Sequence, residues 1–537
     1  MTRARVAAVA LIGCVLTLAS AIGWAHDADE RSAGASARIG KVHFENSCDP
    51  AVAKNFDLSV ALLHSFWARQ AIEGFNHVLK QDPSCAIAYW GIAMALQQNP
   101  LTGQEPAPQF RTDALAGLEK ARAIGAKTER ERDYLAAIEL IYKNAETIDF
   151  RARRNAYEKA MEALAARYPA DDEAKVFYAL ALDMTADLSD RTYSHQLKAV
   201  SILEPLLQKY PEHPGIPHYL IHSYDYPPIA ERGVPAARLY AQVAPENPHA
   251  LHMPSHIFTR LGMWQDSIDA NQRSAAAAKA EGNGQEQAHA MDYLVHAYLQ
   301  LGADGAAKRV VDDGAAARPN PNVFIGHYAL AAMPARYVVE RRAWDEATRL
   351  EVRATKFAFP DAITHFARGL GFARKGDLRA AERETAELAS LRDALLEQKN
   401  AYWSKQVDVQ RLAVQAWTEL AAKRPEQALK LMSSSADLED SMEKHIVTPS
   451  PVVPARELLG EMLLELREPA QALTAFELSA KREPNRYHGL YGAARAAAIS
   501  GDSAKAKAYY ERFLALAAKA DSTRPEVRQA KAYFAQR

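Results

Sequence analysis

The sequence PEHPGIPHYLIH, at residues 211–222, returns in altered form as PENPHALHMPSH at residues 245–256. Matching residues lie 34 positions apart, as His218 and His252 do. A fixed period of this length is typical of proteins built from repeated helix–turn–helix units that stack on one another. These two stretches therefore predict an all-α fold made of antiparallel helix pairs.

A third copy, QEQAHAMDYLVH, occupies residues 285–296. The aligned side chains that can bind a metal ion are His218 and His222 in the first copy, His249, His252 and His256 in the second, and His289, Asp292 and His296 in the third. Side chains three or four residues apart lie on one face of a helix. The pattern therefore predicts imidazole and carboxylate groups on matching faces of three neighbouring helices.

These eight residues are candidate metal ligands. Packed helices lie only about 8–10 Å apart, so the paired histidines of the first two copies are expected to reach toward one point. Imidazole and carboxylate ligands without thiolate suit copper, zinc, nickel or non-haem iron. Ligands spread over three repeats leave room for two ions. The alternative is a polar lining that hydrogen-bonds a peptide or organic ligand without any metal.

Two residues beside these histidines leave alternatives open. Asp225 follows His222 by about one helical turn, so it could ligate a metal, orient an imidazole from outside the ligand set, or act as a general base. Pro254 predicts a kink if the helix of the second copy starts at Pro248. If that helix instead starts at Pro254, His249 and His252 lie in a loop, where they could still be ligands.

The N-terminus has the pattern of a secretory signal. Two arginines precede an apolar run from Val6 to Gly23, and we expect cleavage after Ala25. Residues 1–25 are therefore predicted to be a signal peptide and residues 26–40 a flexible leader. The expected location is periplasmic or secreted, with no integral membrane span after signal cleavage.

Composition and cysteines fit a folded protein of that compartment. Hydrophobic residues make up 48% of the 537 and charged residues 24%, and the formal net charge of −1 leads us to expect no nucleic-acid partner. Cys14 would leave with the signal, so Cys48 and Cys85 remain as a pair. In an oxidising compartment we predict a disulfide between them, and the alternative is two buried free thiols.

The sequence REPAQALTAFELSAKREP, at residues 467–484, carries small Ala472, aromatic Phe476 and helix-stopping Pro484, and Gly460 precedes it. This pattern resembles the tetratricopeptide repeat (TPR) family. The resemblance implies a TPR-like α-solenoid in which antiparallel helix pairs form a superhelix.

Extended along the chain, the resemblance implies a solenoid over residues 41–445, with a His-rich zone at 211–302. The sequence TPSPVVP indicates a Pro-rich linker at 446–454. A C-terminal TPR pair is then expected at 455–537.

The phrases HYLIHSYD and PHALHMPSHIFTRLG, from residues 218–225 and 248–262, resemble uncharacterised secreted bacterial TPR proteins with a His-rich central zone. Alignment through Leu261, Gly262 and Trp264 implies that the three histidines of the second copy line the concave face, where TPR proteins bind ligands. The resemblance implies a fold and a location but no reaction.

Two functions remain open at this point. One is a periplasmic solenoid with a His-rich metal site on its concave face, acting either as a metalloenzyme or as a metal-handling protein. The other is a metal-free scaffold whose concave groove takes a peptide, a protein or a small molecule, because repeat solenoids commonly serve as interaction modules.

Overall fold

The structure is a computed structural model that describes residues 38–521 and 524–535, and within these ranges the chain forms helices and no strand. The α-helices begin with α1 (Ala53–His64), α2 (Ala68–Gln81), α3 (Ala88–Ala95), α4 (Pro108–Ile124), α5 (Glu129–Tyr142), α6 (Phe150–Arg167), α7 (Asp172–Thr185), α8 (Ser194–Lys209), α9 (Gly215–Tyr224), α10 (Val234–Val243), α11 (Pro248–His252), α12 (Pro254–Arg260) and α13 (Trp264–Ala280). They continue with α14 (Gly284–Gln300), α15 (Asp304–Gly314), α16 (Phe324–Glu340), α17 (Trp344–Ala347), α18 (Ala358–Lys375), α19 (Leu378–Glu397), α20 (Ala401–Ala421), α21 (Pro425–Asp440), α22 (Ala455–Glu465), α23 (Pro469–Arg482), α24 (Tyr487–Ile499), α25 (Ser503–Leu516) and α26 (Pro525–Ala535). Short 3-10 turns lie at Pro50–Val52, Pro100–Thr102, Ala230–Gly233 and Ala517–Lys519.

The helices pack mainly on their neighbours in the chain, as a TPR-like α-solenoid of antiparallel pairs. The predicted fold class is therefore confirmed. Helix α2 illustrates why the helices pack in this way. Its apolar residues Ala71, Phe75 and Val78 recur at the helical period, so they share one face, and that face is fully buried. One apolar core runs from Ile39 to Phe258 and a second from Met291 to Ala506. The three sequence copies, on α9, α11–α12 and α14, lie where these two cores meet.

Helix α11 stops at His252 and α12 begins at Pro254. Met253 between them keeps helical backbone angles, and its N–H donates to the carbonyl of His249 at 2.9 Å. The chain is therefore helical from Pro248 onward and is interrupted at the proline, which cannot donate a main-chain hydrogen bond. Both His249 and His252 lie on helix rather than in a loop.

The turn after α12 requires a glycine. Gly262 has a φ of +67°, and a Cβ at this position would lie 2.6 Å from the carbonyl oxygen of Pro484. Directly after the turn, the indole N–H of Trp264 donates to the carbonyl of Asn485 at 2.8 Å. This contact ties the repeat of the second copy to the C-terminal repeats.

Residues 441–454, which we name the inner segment, connect α21 to α22. The segment passes along the first helix of several repeats, and we call these first helices the inner helices. The segment hydrogen-bonds to the Leu188 carbonyl, the Asp225 carboxylate and the Arg336 guanidinium. Residues 446–454, for which the sequence predicts a Pro-rich linker, are a largely buried stretch of irregular chain. Composition does not report this burial, in which side chains such as Arg336 satisfy the buried backbone.

Near the N-terminus, Cys48 and Cys85 are joined by a disulfide. The predicted signal peptide and residues 26–37 of the predicted leader lie outside the described residues, while Ile39 at the end of the leader is buried. Among the described residues, no helix combines the length and the apolar character needed to cross a bilayer.

Candidate metal centre

Six of the eight candidate ligands form two neighbouring groups of three buried histidines. The first triad is His218, His222 and His249, and the second triad is His252, His256 and His289. Within each triad the ligand nitrogens all lie within 4.8 Å of one another. The triads adjoin, because the ring centroids of His222 and His256 are 5.8 Å apart.

Each triad is built across two repeats. A histidine pair at positions i and i+4 comes from one inner helix, and the third histidine comes from the beginning of the next inner helix. Helix α9 therefore shares the first triad with α11, and α11–α12 share the second with α14. The sequence predicted that both pairs would converge on one point. They are divided instead, because His249 and His289 each approach the pair of the preceding repeat.

In the first triad, Nε2 of His218 lies 3.2 Å from Nε2 of His222 and 3.2 Å from Nε2 of His249. The ring of Tyr240 stacks on His218 with centroids 5.0 Å apart. On the far side of His249, Oε2 of Glu286 lies 3.5 Å from Nδ1. The three nitrogens thus point at a common centre from a packed wall.

In the second triad, Nε2 of His252 lies 3.0 Å from Nε2 of His256. The ring centroid of His289 lies 4.3 Å from that of His252. Tyr293 packs edge-on against His252, with centroids 4.7 Å apart. This triad has the same pair-plus-one construction as the first.

The protonation of two rings follows from their outer hydrogen bonds. Nδ1 of His218 donates to the carbonyl oxygen of His64 at 2.7 Å. Nδ1 of His252 lies 2.7 Å from Oδ1 of Asn271, whose amide nitrogen donates to the carbonyl of Ser267. The Asn271 oxygen must therefore accept, so Nδ1 of His252 carries the hydrogen. In both neutral rings the lone pair is then on Nε2, which faces the triad.

Asp225 fixes the third ring in the same way. Its Oδ2 accepts from Nδ1 of His256 at 3.0 Å and from Lys444 at 2.9 Å, and its Oδ1 accepts from Arg260 at 3.0 Å. Burial alone would raise the pKa of Asp225, but Lys444 and Arg260 hold it well below its usual value. This carboxylate, proposed from sequence as a ligand, an orienting group or a base, is saturated by donors and orients His256.

The facing nitrogens of His252 and His256 cannot bond to each other. Each Nδ1 carries a hydrogen, so two lone pairs meet at 3.0 Å unless a cation lies between them. Protonation of a ring is disfavoured, because burial and the neighbouring imidazoles hold the pKa of His252 well below its usual value. Burial also lowers the pKa of His256, even beside Asp225. A metal ion is the cation that this arrangement fits.

The distances match metal geometry. Two nitrogens that each lie about 2.0–2.1 Å from one ion are about 3.3 Å apart at a tetrahedral angle and about 2.9 Å apart at a right angle. The observed separations of 3.0 and 3.2 Å fall within this interval. These side chains could therefore hold a metal ion.

The third copy is arranged differently. Asp292 accepts from the Arg336 guanidinium at 2.8 Å, and both side chains are fully buried. His296 packs edge-on against Trp264, with centroids 5.3 Å apart. Within the described part of the chain, neither ring nitrogen of His296 has a hydrogen-bond partner. These two candidate ligands stand outside both triads.

A further buried group of possible ligands is satisfied by hydrogen bonds. Glu173 accepts from His64 at 2.9 Å and from His213 at 2.8 Å, and the other ring nitrogen of His64 lies 2.9 Å from the hydroxyl of Tyr219. This group supports the main chain of His64, whose carbonyl holds His218. Its role is to orient the first triad.

Sequence reasoning missed the outer partners Asn271, Glu286 and Lys444. One signal was present, since Ser267, Asn271 and Ser274 are polar residues at the buried, helically spaced positions of α13. Nothing in local spacing marks Lys444, which lies 219 residues from Asp225.

No protein-family model matches the chain, and no curated protein matches it. The human IFIT1 dimer with m7Gppp-AAAA is similar at 13% identity and a TM-score of 0.38, covering 81% of this chain and 90% of that one. The human IFIT1 dimer with PPP-AAAA is similar at 13% identity and a TM-score of 0.37, covering 81% and 91%. These likenesses concern the arrangement of repeated helices alone.

Proposed function

We propose that this protein is a metalloenzyme whose solenoid holds a dinuclear centre, with one transition-metal ion in each histidine triad. The observation that carries the proposal is the meeting of the Nε2 lone pairs of His252 and His256 at 3.0 Å, on rings whose Nδ1 atoms donate to outer partners. In the first triad, Nε2 of His218 lies at a similar 3.2 Å from Nε2 of His222 and of His249. A polar lining for an organic ligand would not require unprotonated nitrogens to face one another in this way.

Copper is the metal that the ligand set favours. Each triad offers three imidazoles and no thiolate or carboxylate, a set that suits copper and zinc. Divalent copper binds nitrogen ligands more tightly than other first-row metals do. Monovalent copper would also place less charge in a buried site than two divalent ions would. Zinc or iron in the same triads is the alternative outcome of the test.

The architecture supports retention of metal rather than its transfer. All six ligands are buried on helices, and outer hydrogen bonds hold at least three of their rings in place. A metal-handling protein has to release its ion, which flexible and exposed ligands would assist. The metal-free scaffold has less support, because the inner segment already lies along the inner helices.

We also propose that the protein works in the periplasm or outside the cell. The N-terminal charge and hydropathy pattern supports this location, and the Cys48–Cys85 disulfide is consistent with an oxidising compartment.

The test is metal content per chain, measured by mass spectrometry on protein produced without a histidine tag. We expect two ions in the parent and one each in His218→Ala and His252→Ala. The matched control is His296→Leu, which removes a buried histidine of the third copy and should retain two ions. Circular dichroism would establish that each variant folds. A parent that binds no metal on titration, or triad variants that keep both ions, would contradict the proposal.

A further inference from the structure

A cavity of about 120 Å³ reaches the first triad from the N-terminal half of the solenoid. Its volume is about ten times the 10–15 Å³ that a single water needs. The wall includes the ring of His222, which is a member of the first triad. Within the described residues, Nδ1 of this ring is buried and has no hydrogen-bond partner. The first triad therefore has one ring that faces a space large enough for a small molecule.

One cation stands in the same wall. Arg154 lines the cavity, and its Nε is buried without a partner among the described residues. Burial and the neighbouring Arg151 lower the pKa of Arg154 to about 10, and no carboxylate is among the causes of the shift. The guanidinium is thus charged at neutral pH, and no carboxylate among the described residues pairs with it. Arg154 is partly buried, and a partly buried charge without a partner is costly, so a negatively charged ligand would be stabilised here.

The rest of the wall is partly apolar and partly polar. Leu101, Met184 and Leu188 supply apolar surface. Asp183 also lines the cavity, with Oδ2 accepting from Ser223 at 2.8 Å and Oδ1 unpartnered among the described residues. Burial raises the pKa of Asp183 well above its usual value, which favours the neutral acid over a second negative charge in the wall.

We propose that this cavity is the substrate site of the dinuclear centre and takes a small organic carboxylate, with the carboxylate on Arg154 and the apolar body directed toward His222. The match is one unpaired guanidinium, a partly apolar wall and an opening onto one triad. The inference rests on the proposed function for its metal but not for its anion site. An inorganic anion such as phosphate matches the charge but not the apolar part of the wall.

The test is calorimetric titration of the copper-loaded chain with benzoate, a small carboxylate with an apolar ring. We expect Arg154→Gln to weaken benzoate binding by about 10- to 100-fold, the usual effect of removing a charged hydrogen-bond partner. The matched control is Arg151→Gln on the same helix, whose side chain is 71% exposed and pairs with Asp187. This variant should bind benzoate like the parent. Phosphate should bind at least tenfold more weakly than benzoate.

Benzoate should also shift the visible absorption of the bound Cu(II), because the cavity opens on a ligand ring. Equal benzoate affinity in Arg154→Gln and the parent, or phosphate binding as tight as benzoate, would overturn the carboxylate site. Benzoate binding without any spectral shift would overturn its connection to the triad.

Failure of the metal proposal is separable from failure of this one. If the chain binds no copper, the titration is repeated on the metal-free protein, where loss of benzoate binding in Arg154→Gln would still support the anion site. If copper binds and benzoate does not, only the inference about the substrate is wrong.

Discussion

All three copies of the repeated sequence place their candidate ligands on the same face of the helix. The residues that approach these ligands from the next repeat differ between the first two copies and the third. In the first two, the pair at i and i+4 receives a histidine from the next inner helix, namely His249 or His289. In the third, the pair is Asp292 and His296, and the next inner helix supplies Arg336. The repeat pattern therefore sets the direction of the candidate ligands. The residue contributed by the next repeat, a histidine or an arginine, determines whether a cation can bind beside them.

The difference is electrostatic. Three imidazoles leave a space lined by nitrogen lone pairs, which a metal cation could fill. At the third copy a side chain supplies the positive charge, because the guanidinium of Arg336 lies against the carboxylate of Asp292. The row of candidate metal sites thus ends at an internal ion pair.

Removing the metal is expected to have the largest effect on this comparison. An ion present at about 1,000 times its Kd stabilises the folded state by about 4 kcal/mol, so two ions contribute about 8 kcal/mol. Dialysis against a chelator should lower the free energy of unfolding by this order, measured by denaturant titration. The control is a His218→Ala/His252→Ala double variant, which should respond little to chelator. An equal response in that variant would place the metal outside the triads.

Arg336→Met should have the next largest effect. It leaves the carboxylate of Asp292 buried without its partner, which typically costs about 3–5 kcal/mol of stability. The double variant Arg336→Met/Asp292→Leu should recover most of that loss, and both variants should keep two bound ions. A loss of metal in Arg336→Met would instead show that the Asp292–Arg336 pair and the triads are coupled.

Acid should destabilise the metal-free protein through the triads. Burial lowers the pKa of His218, His222 and His252, and it lowers the pKa of His289 to about 3. In the unfolded chain these rings take up protons below about pH 6.5, while the folded rings stay neutral. Stability is therefore full above that pH and falls as the pH falls.

At pH 5 each such ring costs at most about 2 kcal/mol. Denaturant titration of the metal-free chain at pH 7 and pH 5 measures the loss. Replacing His252 by leucine should reduce the difference between the two pH values, whereas a stability that does not change between them would contradict buried neutral rings.

Asn271→Leu should have the smallest effect and should act on one triad. The change removes the acceptor of His252 Nδ1 without removing a ligand, and loss of such an outer partner typically weakens metal binding 10- to 100-fold. Competition with a chelator should release the ion of the second triad earlier and leave the other unchanged. The control is Gln272→Leu, at an exposed neighbouring position. Equal weakening of both ions would indicate that the triads are not independent.

The local pattern was enough to predict much of this. A 34-residue period with helical spacing predicts stacked helix pairs, because both signals depend on residues close in the chain. The same spacing places His218 and His222 on one face, since i and i+4 are neighbours on any helix. Spacing could not predict the division into triads, because that division depends on the axial displacement of each helix relative to the next.

The sequence by itself determined the fold class and a set of eight candidate ligands. Only the tertiary structure decided which six of them come together as triads, the donors that saturate Asp225, and the burial of the inner segment. The physical reason is the distance along the chain between the residues that interact. Helical periodicity is a property of a few consecutive residues, whereas the contact of Lys444 with Asp225 spans 219 positions and forms only when the solenoid brings its two halves together.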